Sequence, residues 1–191
     1  MKKLFLIFAT VLFTYGVSRA IVSDDTNEAT HEVYITVPTV ALVDVENSSG
    51  QEDDISFSFN EADLVNEAGS ALNFGSLTNT DLYLQYTSLV GSSSTNIITA
   101  ELGSTNLPDG LSLKLKAASG ISGDSRTGNL GSGTGEFVTL SSSTAQEIVS
   151  SIGSCYTGSG GAYGHQLTFE LEIGDNNEAY QALTADSYQV T

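Results

Sequence analysis

The sequence predicts an all-β protein, a β-sandwich of about seven to nine short strands with one short helix. Three observations carry that reading. Apolar and polar residues alternate in several segments, which places every second side chain on one face of a strand. Stretches rich in glycine and serine separate these segments, as turns do. The chain also lacks the fixed-period repeat that would build a solenoid. A barrel is the alternative closure of the same strands.

The elements follow in order. Val33, Ile35 and Val37 alternate with Glu32, Tyr34 and Thr36, and Pro38 marks a strand end or edge. The segment 40–45 continues the apolar character, and Asn47-Ser48-Ser49-Gly50 turns the chain. Ile55, Phe57 and Phe59 share one side of a further strand. Residues 81–87 look like a central strand, and 96–102 form the next. After the turn Leu107-Pro108-Asp109-Gly110, the chain alternates cleanly. Leu111, Leu113, Leu115 and Ala117 face one way, and Ser112, Lys114 and Lys116 the other. A long Gly/Ser/Thr loop covers 119–135, and a strand covers 136–140. Residues 142–152 read as the helix, with Ile148, Val149 and Ile152 on one side and Gly153 as its stop. His165 to Ile173 alternates again.

The N-terminus reads as an export signal. Lys2 and Lys3 precede the uncharged apolar run 4–13, and small residues stand at Ser18 and Ala20. That run is too short for a membrane span, which needs about 20 apolar residues. The expected organisation is a signal peptide over 1–20, an acidic flexible leader over 21–31 and one sandwich domain over 32–191. No transmembrane segment is expected after cleavage. The chain would then be secreted or displayed at the cell surface, passing through the periplasm in a Gram-negative cell.

Charge narrows the partners. The whole chain carries a formal charge of −17 with 23 acidic residues. Cleavage after Ala20 would leave Lys114, Lys116 and Arg126 as the fixed cations. Phosphate neutralisation needs Lys and Arg, so nucleic acid is excluded as a partner. Anionic lipid is disfavoured by the same repulsion. Cys155 is the single cysteine, so no intramolecular disulfide can form. A lone thiol outside the cell either links two chains or acts as a small buried apolar side chain.

Catalytic constellations are sparse. The two histidines are His31 and His165. A Cys155–His165 dyad is the one nucleophile–base pair the spacing allows, against the plainer reading of a buried Cys and a rim His. No Gly-x-Ser-x-Gly elbow is present. Zinc catalysis wants three protein ligands, which two scattered histidines and one cysteine do not supply. Calcium takes oxygen donors, and two acidic turns gather them: Glu52, Asp53 and Asp54, then Asp175, Asn177 and Glu178. Neither turn matches the twelve-residue calcium loop. No cofactor is implied, and the chain is read as non-catalytic.

Three stretches carry a resemblance. Leu72-Asn73-Phe74-Gly75 resembles an element of secreted pilin and adhesin domains of the chaperone–usher type, and the segment 167–171 with Tyr188-Gln189-Val190-Thr191 resembles their closing strands. The chain departs from that family in having one late cysteine instead of an early disulfide, and in the position of Tyr188. The resemblance implies an incomplete immunoglobulin-like sandwich completed by a neighbour's strand. Val33, Ile35 and Val37 are then the candidate donor face; the alternative is that they form an ordinary first strand. The expected function is a structural subunit or adhesin of a fimbrial or other cell-surface assembly, with other subunits, copies of itself among them, as partners. The competing expectation is a secreted glycan- or protein-binding module, with or without stabilisation by calcium.

Overall fold

The computed structural model describes residues 32–34, 36, 38–58, 67–68, 75–103, 107–124, 127–173 and 190. The chain divides into two units, Met1–Thr36 and Val37–Thr191. Within the first, the described residues form no strand. Val33 is 71% exposed, and the Tyr34 hydroxyl donates to the Glu32 carboxylate.

The second unit is an all-β sandwich of two antiparallel sheets. Its described residues form ten strands: β1 (Val40–Asn47), β2 (Ser76–Asn79), β3 (Leu82–Leu89), β4 (Asn96–Ala100) and β5 (Leu111–Ala117), then β6 (Ser132–Gly133), β7 (Val138–Thr139), β8 (Gln146–Ile152), β9 (Cys155–Tyr156) and β10 (His165–Ile173). The larger sheet runs β1-β3-β10-β5-β7, with β2 beside β10 and β9 beside β3; the smaller runs β4-β8-β6. Two edges are shared. On the side of β3 away from β1, Leu84 pairs with His165 and Ser88 with Cys155. Residues 158–164 leave the ladder between these two pairings. Gly164 closes this excursion at φ +83, where a Cβ would stand 2.0 Å from the Leu84 carbonyl oxygen. Only glycine fits there.

Alternation builds the core. Leu82, Leu84 and Tyr86 of β3, Leu113, Leu115 and Ala117 of β5, and Leu167 and Phe169 of β10 are buried. They meet Ile148, Val149 and Ile152 of β8 in one cluster. Full burial of a side chain such as Leu115 contributes about 1.5–3 kcal/mol. The wet face of β5 is held by charge: Lys114 Nζ lies 2.5 Å from Glu172 and 3.7 Å from Glu170. Lys116 sits 4.6 Å from the centre of the Phe137 ring, a cation–π contact.

Several expectations are corrected. The helix over 142–152 is a strand from Gln146 onward, and the described residues contain no helix. Its buried residues, Ile148, Val149 and Ile152, are spaced as on a helix because the pairing of β4 with β8 is irregular. Ile98 pairs with Val149 but Thr99 with Glu147, and the register shifts again before Asn96 meets Ile152. Each extra residue flips the inward face by one, so period two becomes i, i+1, i+4. The described residues form ten strands against about seven to nine expected, because the loop over 119–135 contributes β6, and β2 and β9 are short pieces on shared edges. Residues 55–58 form no strand, although Ile55 and Phe57 pack on the core as their shared face requires. Among the described residues, the first strand is β1.

Candidate functional site

Two places combine exposed or reactive groups with defined geometry: a buried relay inside the sandwich and the outer edge of β1.

The relay stands on β3 and β10. His165 opens β10 on the inward face and is 0% exposed. Its Nδ1 lies 2.6 Å from the Ala118 carbonyl, and its Nε2 lies 2.8 Å from the Tyr86 hydroxyl. That hydroxyl also donates to the Leu130 carbonyl. The two rings stack with centroids 5.7 Å apart. Burial pushes the Tyr86 phenol far above its ordinary range, with the charge of Cys155 adding to the effect. The phenol therefore stays protonated and remains a donor. The relay ties the segments at Ala118 and Leu130 to the sheet.

Cys155 belongs to the same interior but not to the relay. It is buried and unoxidised on β9. Burial raises its thiol, and a backbone hydrogen bond at Ser88 opposes the shift only in part. A raised pKa leaves little thiolate at neutral pH. Both nitrogens of His165 face oxygens at Tyr86 and Ala118. The structure therefore does not assemble the Cys155–His165 dyad that the spacing allows.

The acidic turn lies beside β1. Asn47 Nδ2 donates to Asp53 at 3.2 Å, and the Asp54 amide donates to Asp53 at 3.0 Å. Glu52, Asp53 and Asp54 are exposed, and no metal-holding group of three His, Cys, Asp or Glu occurs among the described residues. The other calcium candidates, Asp175, Asn177 and Glu178, lie outside the described residues, as do Ile35 and Val37 of the donor candidate.

The edge of β1 is where apolar surface stays open. β1 pairs with β3 along its whole length and, among the described residues, has no second neighbour. Val43 lies opposite Tyr86 and shares its inward face, yet it is 58% exposed; Leu42, on the outward face, is 65% exposed. No charge occurs from Val33 to Val43. Beside Val40, a shallow groove of about 330 Å³ runs past Leu89, Gly128 and Tyr156 over the end of β3.

No family model, curated protein or solved structure matches the chain.

The role of this surface therefore rests on its own chemistry. Natural sheets blunt their edges with charge, proline or a covering segment. The stretch from Val40 to Val43 has none of the first two. Sequence reasoning marked 40–45 as apolar but missed its exposure. The signal lay in its place as the first of the paired strands, where only one side needs a neighbour.

Proposed function

We propose that this chain is an exported, non-catalytic structural subunit of a cell-surface assembly, and that the edge of β1 is one of its assembly surfaces. The observation that supports the reading is the uncharged, exposed edge at Leu42 and Val43 in a chain of net charge −17. An acidic chain repels its own copies, so contact between subunits is least costly where no acid stands. An unpaired strand edge also offers backbone donors and acceptors to an incoming strand. The Lys2–Ala20 pattern supports export, and no described helix is long and apolar enough to cross a membrane. Residues 33–37 are the candidate donor strand for a neighbouring subunit.

The test is assembly on the producing cell, followed by fractionation and electron microscopy. Wild-type chain is expected in high-mass surface material. Leu42→Lys should release it as a soluble, folded species. Surface assembly unchanged by Leu42→Lys would remove the edge from the reading. Deleting residues 21–38 tests the donor role separately: normal polymers from that deletion would refute it.

A second reading, a secreted glycan- or protein-binding module, is favoured by one cluster. Tyr163 packs over Gly123 and Gly158 at one end of the sandwich, and the Tyr156 hydroxyl donates to Asp124 at 3.0 Å. Both rings keep partly exposed faces, as sugar-stacking aromatics do. Specific retention on an oligosaccharide panel, lost in Tyr163→Ala, would establish it. A melting temperature unmoved by calcium would remove its calcium-stabilised form.

A further inference from the structure

The direction of the free backbone groups on β1 defines its partner. In an antiparallel ladder, the N–H and C=O of successive residues point alternately to the two sides. Four bonds show which backbone groups of β1 point away from β3. The Val45 amide donates to the Asp44 carboxylate at 2.8 Å. The Asn47 amide donates to the Gln51 carbonyl at 2.8 Å. Tyr86, opposite Val43, uses its own backbone on Thr157: Thr157 N–H donates to the Tyr86 carbonyl at 3.0 Å, and Tyr86 N–H donates to Thr157 Oγ1 at 3.1 Å. The N–H and C=O groups of the odd residues of β1 therefore point away from β3, although their side chains share the inward face. Val45 and Asn47 have local partners, which leaves Ala41 and Val43 to present open donors and acceptors.

These two residues flank Leu42 symmetrically. We propose that β1 pairs antiparallel with β1 of a second copy of this chain, about a two-fold axis beside Leu42. The inference rests on the reading of this edge as an assembly surface and names its partner. In this register, Ala41 of each copy exchanges both backbone bonds with Val43 of the other. Leu42 then meets Leu42 of the second copy at a non-hydrogen-bonded pair, where side chains approach most closely.

Neighbouring registers do worse. A shift that centres the axis on Val43 sets Ala41 against Val45, whose amide is already held by Asp44. A shift that centres it on Ala41 sets Val43 against Thr39, which lies outside the strand. Charge agrees with the central register. Asp44 falls opposite Val40 and Glu46 opposite Pro38, so no acid faces an acid. A two-fold contact needs a self-complementary patch, and the uncharged stretch Val40–Val43, with equal bonding groups on either side of one leucine, supplies it. The two larger sheets would join into one.

The test uses the full chain carrying Leu42→Cys, with Thr39→Cys and the wild type as controls. The native Cys155 is buried and sets the background. Under mild oxidation Leu42→Cys should give disulfide-linked dimer several-fold faster than either control, because identical residues face each other only at the axis. By sedimentation, Leu42→Lys should weaken dimerisation at least about tenfold, since a lysine at an edge blocks strand addition, while circular dichroism stays unchanged. A monomeric wild type would overturn the proposal. So would assembly that depends on Leu42 without Leu42→Cys self-linking; the strand on the edge would then be residues 33–37 of another copy or a different protein, and the assembly-surface reading would survive. Assembly indifferent to Leu42→Lys defeats both.

Discussion

The two flanks of the larger sheet are finished differently. On the β5 side, the sheets are stitched together. The Thr134 amide donates to the Ile148 carbonyl of β8 at 3.0 Å, and its Oγ1 accepts the Ala117 amide of β5 at 3.3 Å. Gly135 donates to the Ala117 carbonyl at 3.1 Å. Further along, Leu140 donates to Leu113 and Leu102 to Ser141. Backbones come so close that a Cβ on Gly133 would stand 2.3 Å from the Ala118 carbonyl oxygen. On the β1 side, the backbone groups of Ala41 and Val43 point away from β3, and Leu42 and Val43 are exposed. The same chain bonds its backbone across to the second sheet on one flank and leaves an unpaired strand edge on the other. Stability is concentrated on the first, and the second is free for association.

Substitutions can break or sharpen this contrast. The largest loss is expected in the shared interior: Leu115→Ala should cost about 2–5 kcal/mol by urea denaturation, through lost burial and the cavity left behind. Gly133→Ala should cost about 1–3 kcal/mol, because the stitched flank has no room for a methyl group. Tyr86→Phe leaves His165 Nε2 and the Leu130 carbonyl without their partner, at a cost of about 1–3 kcal/mol.

That last substitution also has a pH signature. The Tyr86 pKa is raised in the fold, so its contribution is full below the ordinary tyrosine value of 10.0 and falls as pH rises beyond it. The stability gap between wild type and Tyr86→Phe should therefore narrow in alkaline buffer. The smallest effect belongs to the open flank. Leu42→Lys should shift unfolding of the isolated chain by no more than about 0.5 kcal/mol, measured at concentrations where it is monomeric. A loss as large as that of Gly133→Ala would mean that β1 is buried within its own chain.

How much of this was legible depends on whether the cause is local. β5 and β10 match their sequence readings from end to end, because strict alternation over seven and nine residues admits one reading. β8 was misread because its bulges reproduce helical spacing, and a bulge is a property of the pairing with β4, not of β8 alone. β6 has only Ser132 and Gly133, too few residues for any period. Of the candidate site, the apolar character of 40–45 was visible and its exposure was not, since exposure records what fails to pack on a strand. The relay was missed for a related reason. Tyr86 follows Leu82 and Leu84 on the inward face, and a polar group on that face was the available clue that a buried partner must exist. His165, at the start of β10, is that partner.

The stitches at Thr134 and Leu140 bear on how the molecule comes apart. A sandwich whose layers touch only through side chains can loosen one layer before the other. Here hydrogen bonds run from β8 through Thr134 and Gly135 into β5, so neither layer can open there without tearing the other. Amide protons of β5 and β8 should exchange with solvent in a single cooperative event, whereas β1, held from one side, should fray well below that threshold.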